Sequence, residues 1–217
     1  MTLEVLQKIL ISYSGFILLL TLHELGHAWM ALKCGDDTAQ KQGRVSLNPI
    51  VHMDWIGTVI LPLLMLYLSY SGSSFRGMLV GWAKPVPVNP ANLKNQRLDD
   101  VFISMAGPFA NLVLAVLLLG LARLFLTIQL PQAAPYCKEF AHISLVLCFF
   151  NLIPIPPLDG SHVLRVVTGM SREFYARLVG VGFIVVILVM QIPVVQQTLH
   201  SVTRGTYKIM AGWFGLF

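Results

Sequence analysis

The stretch Phe16–Ala31, Phe-Ile-Leu-Leu-Leu-Thr-Leu-His-Glu-Leu-Gly-His-Ala-Trp-Met-Ala, constrains this chain more than any other. Its first half has the apolar character of a membrane-spanning helix, while its second half carries His23, Glu24 and His27. On a helix, positions i and i+4 share a face, so the two imidazoles can point at one metal ion. Glu24 sits one residue round, within reach of a water on that metal, and suits a general base. The spacing is the zinc hydrolase pattern H-E-x-x-H. A charged group near a bilayer centre costs at least about 2.5 kcal/mol, so ionisable residues in such a helix mark a functional site by default. Two core histidines bonded to backbone would be the bland alternative. A third ligand decides between them.

The surrounding composition supports a membrane setting. The 217 residues are 56% hydrophobic and 12% charged, against about 45–50% and 25% in soluble domains. That describes a multi-pass membrane protein. The net charge of +5 comes from Lys and Arg scattered singly through short loops, with no basic run. This excludes a nucleic-acid partner and points to the lipid bilayer surface instead. Cys34, Cys137 and Cys148 form no C-x-x-C, so they predict neither a disulfide framework nor a thiolate metal site. The N-terminal segment contains the His/Glu motif, so its removal as a signal peptide is not expected.

The pattern predicts an all-α membrane protein with about five transmembrane segments. Segment one runs from about Val5 to Leu32, with Gly35 placed to end it. Residues 36–53 are polar, with an alternating piece at Gly43–Leu47 that reads as a short interfacial β-hairpin. Its edge, at Arg44, Val45 and Ser46, could hold an extended peptide. Asp54–Tyr70 is a short second segment containing Pro62, followed by a turn at Ser71–Ser74. The stretch from Met78 to Pro90 holds Pro85, Pro87 and Pro90 and cannot be helical. Such extended backbone at membrane depth must be buried by protein or line a cavity, so it reads as a re-entrant wall of the site. Segments three to five are expected at Val101–Ile128, Glu139–Pro154 and Phe174–Ile192, with a mildly amphipathic tail beyond Val194. The whole reads as one domain, residues 1–217, with its core at about 5–170 and the fifth segment and tail at 171–217.

Candidates for the third ligand are Asp159, Asp54, His52, His142, His162 and Glu139. Only Asp159 has an apolar, Pro-broken setting, in Asn151-Leu-Ile-Pro-Ile-Pro-Pro-Leu-Asp159-Gly160, and it takes the ligand role in this reading. His52 and Asp54 are the rivals, and His52 is otherwise a possible substrate contact. Asp36, Asp37, Asp99 and Asp100 lie among polar residues and read as solvated. Asn111 is a polar group in the apolar layer, suited equally to an interhelical hydrogen bond or a catalytic role. A cytoplasmic site would put Lys33, Lys41, Arg44, Lys94, Arg97, Arg165, Arg172 and Arg177 inside. Lys8, Arg76, Arg123, Lys138, Arg204 and Lys208 would then lie outside, a small positive-inside bias.

These residues resemble the site-2 protease family of intramembrane zinc metalloproteases. The resemblance is carried by His23-Glu24-Leu-Gly-His27, Gly107-Pro-Phe-Ala-Asn111 and Asn151-Leu-Ile-Pro154-Ile-Pro-Pro-Leu-Asp159-Gly160. Gly43-Arg-Val-Ser-Leu-Asn-Pro49 and Gly81-Trp-Ala-Lys-Pro-Val-Pro87 look like stretches of its compact members, those without PDZ or CBS domains. It covers roughly residues 16–168. The resemblance implies one Zn²⁺ held by His23, His27 and Asp159, with Glu24 as base, and Asn151 and Asn111 orienting substrate or the zinc site. Read as the short motif Asn-Pro-x-x-Asp-Gly, the chain has Ile155 where asparagine would stand, and Asn151 matches the longer form. The implied activity is hydrolysis of peptide bonds in or near the transmembrane segments of single-span membrane proteins. The expected setting is the cell membrane, with the active site toward the cytoplasm and the oligomeric state open. A silent zinc-binding scaffold would need no base, so Glu24 speaks against it. A metal-ion transporter would show a repeated half, and none is visible.

Overall fold

The computed structural model describes residues 3–70 and 81–216. Among them every regular element is helical, with no strand. The helices are α1 (Leu3–Lys33), α2 (Thr38–Lys41), α3 (Leu61–Tyr70), α4 (Gln96–Thr127), α5 (Ala134–Asn151), α6 (Gly160–Thr168), α7 (Arg172–Val189) and α8 (Pro193–Trp213). Short 3₁₀ turns at Pro49–Val51 and Pro90–Asn92 and a π-helical turn at Trp55–Ile60 complete it. The expected turn at Ser71–Ser74, Arg76 and the first residues of the Pro-rich stretch lie outside the described residues.

Local chemistry sets the boundaries. After α1, Gly35 takes φ 102° and Asp36 N–H donates to Ala31 O at 2.9 Å, closing the helix end. At the start of α4, Asn95 Oδ1 accepts from the N–H groups of Arg97 and Leu98, while Asp99 accepts from Asn95 N–H. Ser171 caps α7 through Phe174 N–H.

Among the described residues two helices, α1 and α4, are long and apolar enough to cross a membrane. Their 31 and 32 residues correspond to roughly 46–48 Å at 1.5 Å per residue, against a hydrocarbon core of about 30 Å. The α7–α8 pair, bent by 85°, would be a third crossing if it acts as one span. The apolar helix Trp55–Leu68 is shorter, and α5 has only 18 residues. Leu18, Leu117 and Leu124 point outward from the long helices, as a lipid-facing surface requires. The core forms where α4 packs on α1 and α5, and α5 packs on α8.

The expected hairpin is absent. Gly43 ends a turn and residues 45–47 form bends, and the alternation reflects one inward residue, Arg44, which is 3% exposed. Its guanidinium donates to the carbonyls of Val51, Lys84 and Pro85. The Pro-rich segment is extended, as three prolines dictate, and takes its hydrogen bonds from elsewhere. Trp82 N–H donates to Gly57 O and Lys84 N–H to His52 O. Asp36, read as solvated, is fully buried. Its carboxylate accepts from Thr38 N–H and Oγ1, Asn89 N–H and Asn92 Nδ2, so it pins the far end of that segment to the foot of α1.

Candidate metal centre and cavity

One helical turn of α1 stacks His23 over His27, with ring centroids 4.7 Å apart and planes at 84°. Both rings and Glu24 are buried. Asp159 reaches them because the chain turns back on itself after α5. Gly160 packs against the Leu152 carbonyl and the Ile153 carbonyl, where any side chain would collide. Asp159 then stands just ahead of α6, which packs on α4. The result is a triangle of ligand atoms. His23 Nε2 and His27 Nε2 are 3.1 Å apart, and Asp159 Oδ2 lies 3.2 and 3.4 Å from them.

The three residues could hold one metal ion. A tetrahedral zinc with bonds of about 2.0–2.1 Å spaces its ligands roughly 3.4 Å apart, close to the observed triangle. Asp159 Oδ2 is buried and accepts no hydrogen bond from the described residues, which suits an oxygen reserved for a cation. Gly107 of α4 leaves the space beside the ligand atoms open. A Cβ there would press into His27 Nε2 and lie 2.7 Å from His23 Cε1. Gly26 opposite, which a Cβ would bring to 2.8 Å from Ala106 O, lets α1 and α4 approach closely at the same level.

The outer nitrogens set the ring orientation. His27 Nδ1 lies 2.7 Å from Ile103 O and must donate its proton there, which leaves the Nε2 lone pair free for a metal. His23 Nδ1 lies 3.1 Å from the Asn111 side-chain nitrogen, and Asn111 Oδ1 is buried without a partner. A half-turn of that amide puts the oxygen on His23 Nδ1–H and satisfies both groups. Asn111 itself is wholly buried, and its carbonyl accepts from Ser144 Oγ at 2.7 Å.

The triangle opens on a cavity of about 640 Å³. Its walls are α1, the extended segment from Gly81 to Val88, the start of α4, the end of α5 and the turn from Pro157 to His162. Glu24 and Asn151 line it. Asn151 Nδ2 donates back to Leu147 O at 3.0 Å, within its own helix. The structure therefore brings together Glu24, His23, His27, Asp159, Asn111 and Asn151. It does not bring Arg44, Val45, Ser46 or His52 to the cavity surface, against the expected substrate-edge role. Arg44 and His52 instead hold the extended wall, through the carbonyls of Lys84 and Pro85 and the N–H of Lys84. His52 Nε2–H donates to Ser46 O at 2.9 Å, and burial with the nearby Arg44 charge pushes its pKa down. Asp54, the other rival ligand, spends its carboxylate capping the π-helical turn through Ile56 and Gly57 N–H.

Reading Asp100 as solvated misses its place in the cavity wall beside His162. Asp100 accepts from Arg165 Nη2 at 2.7 Å and from His162 Nδ1 at 3.1 Å. The polar run Asn95–Asp100 concealed this, although His162 stands three residues after Asp159 and so shares its helical face.

The chain matches the description "Peptidase family M50" over residues 12–141 and 129–191, a range that contains the whole triangle and Glu24. It belongs to peptidase family M50, the site-2 proteases. Membership places it among membrane-embedded zinc metalloproteases. It is 39% identical over 181 residues to "Putative zinc metalloprotease YwhC" of Bacillus subtilis (strain 168), covering 80% of this chain and 76% of that protein. It is 35% identical over 155 residues to "Putative zinc metalloprotease Rip2" of Mycolicibacterium smegmatis, covering 70% of this chain and 55% of that protein. No solved structure matches it.

Proposed function

We propose that the chain is an intramembrane zinc endopeptidase that cuts single-span membrane proteins in or beside their transmembrane segments. His23, His27 and Asp159 would hold one Zn²⁺, and Glu24 would be the base. The supporting observation is the ligand triangle at the floor of a cavity that Glu24 also lines. Bound there, zinc would supply a Lewis acid for the scissile carbonyl and lower a water pKa from 15.7 toward about 7.

The remaining work falls to the chain. Glu24 accepts the proton of the attacking water and delivers it to the leaving amine. Asn111 and the Ile103 carbonyl fix the two imidazoles so that both Nε2 atoms face the triangle. A helical substrate hides its carbonyls in its own hydrogen bonds and must unwind to be cut. Trp82 and Lys84 direct their N–H groups to Gly57 and His52, so the intervening Ala83 presents its backbone to the opposite edge. Ala83 lines the cavity, and pairing there would replace hydrogen bonds the substrate loses on unwinding. Asn151, whose side-chain oxygen has no hydrogen-bond partner among the described residues, suits a contact to the same segment.

The setting is a multi-pass protein of the cell membrane with the site toward the cytoplasm. Arg44 and Arg165 are buried and bonded internally, which leaves six of those cations on each side, so charge alone does not set this orientation. The test is cleavage of a model single-span substrate by the wild type and Glu24→Gln. Cleavage by the wild type alone, with zinc in both, is expected. Equal cleavage by Glu24→Gln would refute the role of the base, and zinc in neither would refute the site.

A further inference from the structure

We propose that His162 is a second substrate-contacting residue: its Nε2 accepts a hydrogen bond from a backbone N–H of the bound peptide, and Asp100 positions the ring. This rests on the protease reading above. His162 follows Asp159 by three residues at the start of α6, so their Cβ atoms are roughly 5–6 Å apart on one face. Both line the cavity. His162 therefore borders the part of the cavity where a scissile carbonyl would meet the triangle.

The ring is held in one orientation. Its Nδ1 lies 3.1 Å from both oxygens of Asp100, so the Nδ1 proton points into that carboxylate. Arg165 Nη2, 2.7 Å from Asp100 Oδ2, shares the same carboxylate. With its proton on Nδ1, a neutral ring carries a lone pair on Nε2. Among the described residues that atom has no hydrogen-bond partner, and the His162 side chain is 32% exposed. Tyr175 packs against the ring with centroids 5.1 Å apart. The Tyr175 hydroxyl is tied in turn to Ser161 Oγ at 2.7 Å, which donates to Leu158 O. The Asp100–Arg165 pair would fasten α6 to α4 without an imidazole. What the imidazole adds is one acceptor on a ring that lines the cavity together with Asp159.

An extended peptide offers N–H donors alternately to its two sides. A substrate paired on one side with Ala83 would turn the next N–H away from that wall, where an acceptor is needed. His162 meets that need and selects for an unwound backbone rather than for any side chain.

The test uses the purified chain and a series of substrates in which one backbone N–H near the scissile bond at a time is replaced by an ester oxygen. Wild type should lose about tenfold in kcat/KM at one position, the worth of one hydrogen bond. His162→Ala should lose about tenfold on the parent substrate and nothing further at that position. His162→Gln, whose amide oxygen can accept in place of Nε2, should recover part of the rate. It also carries the comparison if the alanine variant fails to fold. Both variants should keep wild-type zinc content. The same position-by-position profile in wild type and variants would overturn the inference, as would loss of zinc from His162→Gln. A wild type inert toward every substrate would instead overturn the protease reading, and this inference with it.

Discussion

Adding one methyl group at Gly107 should dismantle the metal centre while leaving the helices in place. The Cβ of Gly107→Ala would lie 2.6 Å from His27 Cε1 and 2.7 Å from His23 Cε1, where ordinary contact begins near 3.4 Å. The His23 ring must then move by about 0.7 Å and the His27 ring, whose Nε2 is the nearest atom, by about 1 Å, while metal sites tolerate displacements of about ±0.2 Å in ligand distance. Moving α4 away instead would pull Ile103 and Asn111 from the imidazoles they orient. Overpacking of this kind costs about 1–3 kcal/mol of stability, and disturbed ligand orientation lowers metal affinity by about 10–100-fold. The assay is zinc titration of the purified protein against a competing chelator, with helix content followed by circular dichroism. Gly180→Ala, in α7 with nothing within 4 Å of the added carbon, is the neutral control. Wild-type zinc affinity in Gly107→Ala would refute the packing of His23 and His27 against α4.

Asp36→Ala leaves the N–H of Asn89 and the amide of Asn92 without their acceptor and should cost about 3 kcal/mol, read as a lower unfolding temperature. Burial raises the Asp36 pKa, but hydrogen bonds from Thr38, Asn92 and Asn89 outweigh it and hold the value below the usual carboxylate range. Its stabilisation is therefore present above that range and lost as pH falls through the folded value, a dependence that Asp36→Asn should remove. His52, with its pKa pushed down mainly by burial, binds a proton more readily when unfolded. Stability should fall as pH drops below about 6.5, and thermal unfolding of His52→Gln should show a flatter profile. Asp100→Ala strands the Arg165 guanidinium, whose side chain is 10% exposed, and should cost about 3–5 kcal/mol. The double variant Asp100→Leu/Arg165→Met should regain most of that loss in the same unfolding assay.

Much of the site was legible because its chemistry is written locally. His23, Glu24 and His27 need only helical spacing to share a face, and Asp159 stands out as a carboxylate in an apolar, Pro-broken stretch. The extended wall at Gly81–Asn89 follows from its prolines, and the long apolar helices α1 and α4 from their hydropathy. What failed depended on distant partners. Alternation at Gly43–Leu47 looked like a strand, but no second strand comes near, and the one inward side chain is an arginine that bonds carbonyls 7 to 41 residues away. Asp36 and Asp100 looked solvated because their neighbours in sequence are polar. Their partners, at Asn89, Asn92, His162 and Arg165, are brought in by packing. Glu139 and His142, once candidate ligands, lie elsewhere on α5. Glu139 accepts from Ser12 Oγ at 3.0 Å, and His142 packs on Tyr207.

The most direct test of the metal centre is zinc-edge X-ray absorption on the purified chain, alongside Asp159→Ala. One zinc per chain, with nitrogen and oxygen neighbours at about 2.0–2.2 Å and two imidazoles, is the predicted result. Asp159→Ala should lose most of the bound zinc. A sulfur neighbour at about 2.3 Å, which would have to come from Cys34, Cys137 or Cys148, would contradict the account, as would zinc retained unchanged in Asp159→Ala.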